Sequence, residues 1–362
     1  MRFIKGKELH RERVGRSILL VQLGDIGDVV YTLPCARALK ENFPQATVVM
    51  AVQHKAKELV SGSPWVDQVI AVDKRKRPLL SALRHQLEFV RQVRSFAFDL
   101  AIDLRTGSRG AILTMLSGAG QRLGRYTPVG HWLRGRLFTH LVLPQGRLNQ
   151  AIAEYYHDTL SSYGIRTADL NPVITPTRQQ QEEAHRLLRS EGVPADRPLL
   201  VIQPFSLWSY KEWAPEKFAA LICALQAEFP ISVALTGSAA EASGAQVIAE
   251  QAGGVVVNLA GKTTLSQLPA VLQSADLFLG VDSAGLHIAA AVGTPTVGLY
   301  GPSPAEIWAP KGDGNRVISK QLPCVPCKET GCKGSMHSRC LDELTVAEVL
   351  PVLRRHLRGI CR

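Results

Sequence analysis

The chain has 362 residues, 46% hydrophobic and 20% charged, with 42 Lys and Arg against 31 Asp and Glu. That length suggests two domains, the composition is that of a globular protein with a large core, and no stretch approaches the ~20 uninterrupted apolar residues that cross a bilayer. The formal charge of +11 points to an anionic partner: a phosphate-bearing substrate, a nucleic acid or a membrane surface.

In chain order, the basic opening MRFIKGKELHRERVGRS is not followed by an apolar segment of signal-peptide type, so the cytosol is the expected compartment. Apolar runs then alternate with helical periodicity, the pattern of parallel α/β layers. Strands are predicted at Ser17–Leu23, Ala46–Val52, Gln68–Val72, Leu100–Asp103 and Leu141–Leu143. Helices are predicted between them, including Thr32–Asn42 and Leu79–Arg94. A Pro-containing stretch near Pro172 breaks the pattern, and a charged helix follows over Gln179–Glu191. The alternation then restarts at Leu199–Gln203, Ser232–Thr236, Val255–Asn258, Leu277–Val281 and Thr296–Tyr300. Each half reads as a doubly wound sheet, and such sheets bind ligands at the carboxyl ends of their strands.

Polar breaks at those ends carry the chemistry. The first is Gly24-Asp25-Ile26-Gly27-Asp28, a turn between strand and helix. It lacks the G-x-G-x-x-G spacing and the distal acid of a dinucleotide site. Asp28 suits either an N-cap or a functional carboxylate. The second is Asp282-Ser283-Ala284-Gly285-Leu286-His287, which opens a small-residue helix whose free N–H groups and dipole suit a diphosphate. A third, Gln203–Trp213, offers hydroxyls, aromatics and Lys211; a fourth offers Gly237 and Glu241. Basic residues gather in the first half: Arg75 and Arg77 within a four-residue basic run, then Arg105, Arg109, Arg122, Arg125, Arg134 and Arg136. Among seven cysteines, Cys35 and Cys223 read as small core residues. The cluster Cys324-x2-Cys327-x4-Cys332-x7-Cys340 reads as a metal knuckle before a disulfide framework.

Three blocks, GDIGDVVYTLP, SYKEWAPEKFAAL and FLGVDSAGLHIAAAVGTPTVGLYGP, together resemble the lipopolysaccharide heptosyltransferases, family 9 of the glycosyltransferases. AIDLRTGSRGA, residues 101–111, resembles the acceptor-domain strand and loop of that family. The resemblance implies a GT-B architecture of two Rossmann-like α/β domains facing an interdomain cleft. The acceptor domain would span 1–172, the donor domain 173–345, and a C-terminal helix, 346–362, would pack back on the first domain. It implies an inverting, metal-independent transfer of heptose from ADP-L-glycero-D-manno-heptose to the lipopolysaccharide inner core. The alternatives are an ADP-sugar-dependent transfer to another glycan or to protein, and a nucleotide-sugar epimerase. By this resemblance Asp28 is the catalytic base. The donor is assigned to Ser206, Lys211, Gly237, Glu241, Asp282, Ser283, Gly285 and His287, and the acceptor to Gly27, Thr32, Arg75, Arg77, Arg105 and Arg109. No cofactor is required for catalysis; Cys324, Cys327, Cys332 and Cys340 are the expected ligands of a structural Zn or Fe. The expected partners are the ADP-sugar and an anionic lipid A–core acceptor at the inner face of the inner membrane. With 6% aromatic residues and no recognisable module, nucleic acid is not expected.

Overall fold

In the computed structural model, which describes residues 2–73, 78–128, 131–144 and 149–361, the apolar runs form two sheets. The first contains β1 (Arg2–Lys5), β2 (Ser17–Gln22), β3 (Thr47–Gln53), β4 (Gln68–Val72), β5 (Leu100–Asp103), β6 (Gln121–Arg125) and β7 (His140–Leu143). Its order is β1-β7-β6-β5-β2-β3-β4. The second contains β8 (Leu199–Gln203), β9 (Ser232–Leu235), β10 (Val256–Asn258), β11 (Leu277–Val281), β12 (Thr296–Tyr300) and β13 (Asn315–Ser319), in the order β10-β9-β8-β11-β12-β13. Every neighbouring pair is parallel except β1 and β7. The chain divides into two units between Val173 and Ile174.

The central strands show why these segments pair as they do. In β2 all six residues are buried, and it lies between β3 and β5. In β11 all five are buried between β8 and β12. Strands covered on both faces lose the in/out alternation and read as continuous apolar runs.

Counted within each parallel run, both sheets follow the order 3-2-1-4-5-6. The winding therefore reverses between β2 and β5 in the first unit and between β8 and β11 in the second. Loops leaving the carboxyl ends of those strands line the crevice that such a reversal opens.

The C-terminal helix is formed over Val346–Ile360. It belongs to the second unit, where Val349, Leu350, Leu353 and Leu357 enter the core shared with Phe218, Leu221 and Ile222. Trp213 Nε1 donates to the Leu344 carbonyl at 2.9 Å and ties down the turn before the helix. Of the two isolated cysteines, Cys35 is buried as expected. Cys223 is exposed, its thiol 3.0 Å from the Ala252 carbonyl. Among the described residues no helix is long and apolar enough to cross a membrane.

Candidate active site

In the first unit the turn after β2 delivers Asp28 to the winding reversal. Asp25 is extended at the N-cap of the helix Ile26–Val30, and its N–H donates to Asp28 Oδ2 at 2.9 Å. Arg105, from the loop after β5, donates to the same oxygen at 2.6 Å. The Tyr156 hydroxyl donates to Oδ1 at 2.5 Å. Asp28 is only 9% exposed, so these three donors fix the orientation of a nearly buried carboxylate. Burial, reinforced by the Asp28 charge, pushes the Tyr156 phenol far above its ordinary range, so it stays a donor. Gly24 is required by close approach: a Cβ there would lie 2.2 Å from both Arg105 Nη1 and Asp28 Oδ2.

Two of the expected acceptor residues make contacts around the Asp28 turn. Arg105 pairs with Asp28. Thr32 is fully buried, donates to the Asp28 carbonyl at 2.8 Å and accepts from Gln22 Nε2 at 2.8 Å, so it braces the turn. Gly27 is half-buried in the first turn of the helix, where its carbonyl accepts from the Tyr31 N–H. Arg109 is exposed and, with Arg105 and Ser108, lines a pocket of about 250 Å³ at the end of β5. Arg75 and Arg77 lie outside the described residues.

Behind Arg105 stands a buried pair that sequence reasoning missed. Arg134 Nη1 lies 3.1 Å from Asp103 Oδ2, with both side chains nearly inaccessible. The same guanidinium donates to the carbonyls of Arg105, Gly107 and Arg125, so one side chain clamps the loop that carries Arg105. Asp103 also accepts from the Arg105 N–H at 3.2 Å. Burial pushes the Asp103 carboxyl up to about 6, with Arg134 opposing the rise. Its folded-state value lies above the ordinary 3.8, so the native form holds the proton more strongly than the unfolded chain. Stability therefore falls as pH rises across that interval. Thermal melts between pH 4 and 6.5 are expected to show this fall in the wild type and lose it in Asp103→Asn. Parallel curves would remove Asp103 as the source.

In the second unit, β8 and β11 are adjacent, with Gln203 opposite Gly280. Lys211 Nζ lies 2.6 Å from Asp282 Oδ2. Burial alone would raise Asp282, but the charges of Lys211 and His287, with hydrogen bonds from Lys211 and Ser303, hold it below the usual carboxylate range. His287 is buried, with Nε2 3.7 Å from Asp282 Oδ1 and its ring 6.5 Å from that of Trp308. Ser206 donates its hydroxyl to the Asp282 carbonyl at 3.2 Å, and its N–H to Glu212 at 2.9 Å. Ser283 occupies the N-cap position of the helix Ala284–Ala291, and its hydroxyl accepts from Gln203 Nε2 at 3.3 Å. A Cβ on Gly285 would meet Gln203 Oε1 at 2.0 Å, so the glycine makes room for that carboxamide.

The structure thus brings Ser206, Lys211, Asp282, Ser283, Gly285 and His287 together around one helix start. The Asp282 carboxylate holds the Lys211 ammonium at the helix start. Glu241 lies further along the sheet and accepts from the Ser238 N–H at 2.6 Å as a capping residue. Its Oε2 lies 2.8 Å from where a Cβ on Gly237 would stand.

The four cysteines of the expected thiolate site differ in their surroundings. Cys324 and Cys332 are exposed and Cys340 is buried. Cys340, second in the short helix Arg339–Asp342, packs so closely on Gly301 that a Cβ there would lie 3.0 Å from its sulfur. Burial, with the neighbouring Cys327 and Cys332 adding to it, pushes that thiol up to about 11. Among the described residues no group of three or more His, Cys, Asp or Glu is placed to hold a metal ion.

A family model described as glycosyltransferase family 9 (heptosyltransferase) matches residues 86–337. The chain belongs to glycosyltransferase family 9. Among its relatives, lipopolysaccharide heptosyltransferase 3 of Escherichia coli is 29% identical over 291 residues, covering 78% of this chain and 83% of that protein. The lipopolysaccharide core heptosyltransferase OpsX of Haemophilus influenzae is 26% identical over 315 residues, 84% of each chain. Among solved structures, the family 9 glycosyl transferase of Veillonella parvula superposes with a TM-score of 0.82 at 20% identity, covering 96% of this chain and 99% of that one. The E. coli ADP-heptose LPS heptosyltransferase II superposes with a TM-score of 0.77 at 22% identity, covering 95% and 99%. These likenesses establish the GT-B fold class of two Rossmann-like domains.

Proposed function

We propose that this family 9 glycosyltransferase moves a heptose from ADP-L-glycero-D-manno-heptose to the inner core of lipopolysaccharide, with inversion at the anomeric carbon. The observation that carries the reading is the chemistry at the two winding reversals. One unit holds an oriented, nearly buried carboxylate, Asp28. The other holds a cation, Lys211, beside a helix start. The names of the relatives supply the sugar, the nucleotide and the acceptor class.

In this mechanism Asp28 takes the proton from an acceptor hydroxyl, whose oxygen bonds to the anomeric carbon on the face opposite the leaving group. The bond from that carbon to the diphosphate oxygen breaks, and its electron pair leaves with ADP. Lys211 and the N–H groups at the start of the helix Ala284–Ala291 receive the charge that develops there. Ser206 and Ser283 line the same seat, and Asp282 keeps Lys211 in place. Since these groups supply the positive field, turnover is proposed to persist in EDTA. Arg109, exposed beside the pocket after β5, suits an anionic acceptor headgroup at a membrane surface.

A thermal-shift panel of ADP-, UDP-, GDP- and CMP-sugars tests the donor. A ligand that binds only the native state raises its stability by about 2.7 kcal/mol at a hundred times its Kd. ADP and ADP-heptose are expected to raise Tm where the others do not; a preference for UDP-sugars would overturn the assignment.

A further inference from the structure

The segment that follows β13 carries the four cysteines, and its contacts lead back to the donor seat. The Lys328 N–H donates to the Pro302 carbonyl at 2.8 Å. The Ser338 hydroxyl donates to the Tyr210 carbonyl at 2.6 Å, and that of Ser209 to the Met336 carbonyl at 3.4 Å. The segment is thereby tied both to the loop that bears Lys211 and to the one that bears Ser303. Between them lies a pocket of about 270 Å³, lined by Tyr210, Lys211, Ser303, Trp308, Lys328 and Glu329 among others.

The charges lining this pocket are unequal in their availability. Lys211 is neutralised by Asp282 at 2.6 Å. Lys328 is exposed, and among the described residues its ammonium has no hydrogen-bond or ion-pair partner. Its backbone stands at φ +63°, the left-handed region that a side-chain-bearing residue enters only at a cost. The backbone contact to Pro302 anchors this residue, and Lys328 lines the pocket.

We infer that Lys328 is a second donor-binding cation, contacting the diphosphate of the nucleotide sugar alongside Lys211. The inference rests on the donor reading above and extends it to a segment outside the three sequence blocks that carry the family resemblance. A diphosphate carries more negative charge than Lys211, already paired, can balance. Lys328 supplies the missing positive charge, and Glu329 on the same wall suits the neutral hydroxyls of the sugar.

Calorimetric titration of ADP and of adenosine into the wild type, Lys328→Met and Lys328→Arg decides it. Lys328→Met is expected to weaken ADP about tenfold, as loss of one charge-assisted contact does, and to leave adenosine unchanged. Lys328→Arg should restore most of the ADP affinity, and added salt should narrow the gap between wild type and Lys328→Met. An ADP affinity in Lys328→Met within twofold of wild type, or an equal loss for adenosine, would overturn the inference alone. A wild type that binds no ADP would overturn the donor reading together with it.

Discussion

Asp28→Asn is expected to lower kcat by roughly 10²–10⁴-fold, the range that a positioned general base contributes, while ADP binding is retained. The amide cannot take a proton from the attacking hydroxyl. The substitution also disturbs its own surroundings, because both carboxylate oxygens accept here: Oδ2 from Arg105 and the Asp25 N–H, Oδ1 from Tyr156. An NH₂ group in either place faces a donor and leaves it unpaired, which costs about 1–3 kcal/mol. Activity must therefore be read beside thermal stability. Tyr156→Phe serves as the companion, since it removes one donor from Asp28 and leaves the base intact. It should reduce kcat far less than Asp28→Asn and displace the pH–rate profile, which a purely structural loss would not do. Initial rates with ADP-heptose and a core acceptor, on folded protein, give the answer. Near-normal turnover in folded Asp28→Asn would end the assignment of this carboxylate as base.

How much of this was legible in the sequence depends on whether a residue's partner is local. Strands buried on both faces announced themselves, because a run such as Ser17–Gln22 stays apolar whatever its neighbours are. Two of the edge strands, β1 and β13, did not. β1 is antiparallel at the sheet margin and mostly exposed, and β13 carries exposed Arg316 and Val317. β6 hides for another reason. Its sequence, Gln-Arg-Leu-Gly-Arg, looks unsuited to a core, yet Arg122 donates to the Ala119 and Leu137 carbonyls and Arg125 to that of Tyr155. Asp28 and Asp282 were visible because each interrupts an apolar pattern at a strand end. Asp103 does the same at the end of β5, and the same rule would have found it. Tyr156 gave no such signal: it sits on the apolar face of a helix, 128 residues from its partner. Arg105 was noticed for its charge, and only its distance to Asp28 shows that this charge is engaged by that carboxylate.

Arg134→Met is expected to cost about 3–5 kcal/mol, the usual penalty for leaving one partner of a buried ion pair without the other. Arg134 is 2% exposed and Asp103 1%, so water cannot replace the lost guanidinium. Three carbonyls, those of Arg105, Gly107 and Arg125, lose their donor at the same time. Arg134→Lys should recover little, because one ammonium cannot reproduce a fork aimed at four acceptors. Adding Asp103→Asn to Arg134→Met should return part of the loss, since the stranded charge is then gone; that non-additivity identifies the pair as a unit. Arg136→Ala, on the same helix but exposed beside the Trp132 ring, is the control and should stay within about 0.5 kcal/mol. The consequence for catalysis follows from what the clamp holds. With the loop after β5 released, Arg105 no longer meets Asp28 at a fixed distance, so kcat should fall in any Arg134→Met that remains folded. Denaturant melts of the four variants, followed by rates at a temperature where all are folded, separate the two effects. A single-variant loss below about 1 kcal/mol would show that Asp103 is satisfied without Arg134, and the clamp would then have no part in positioning the site.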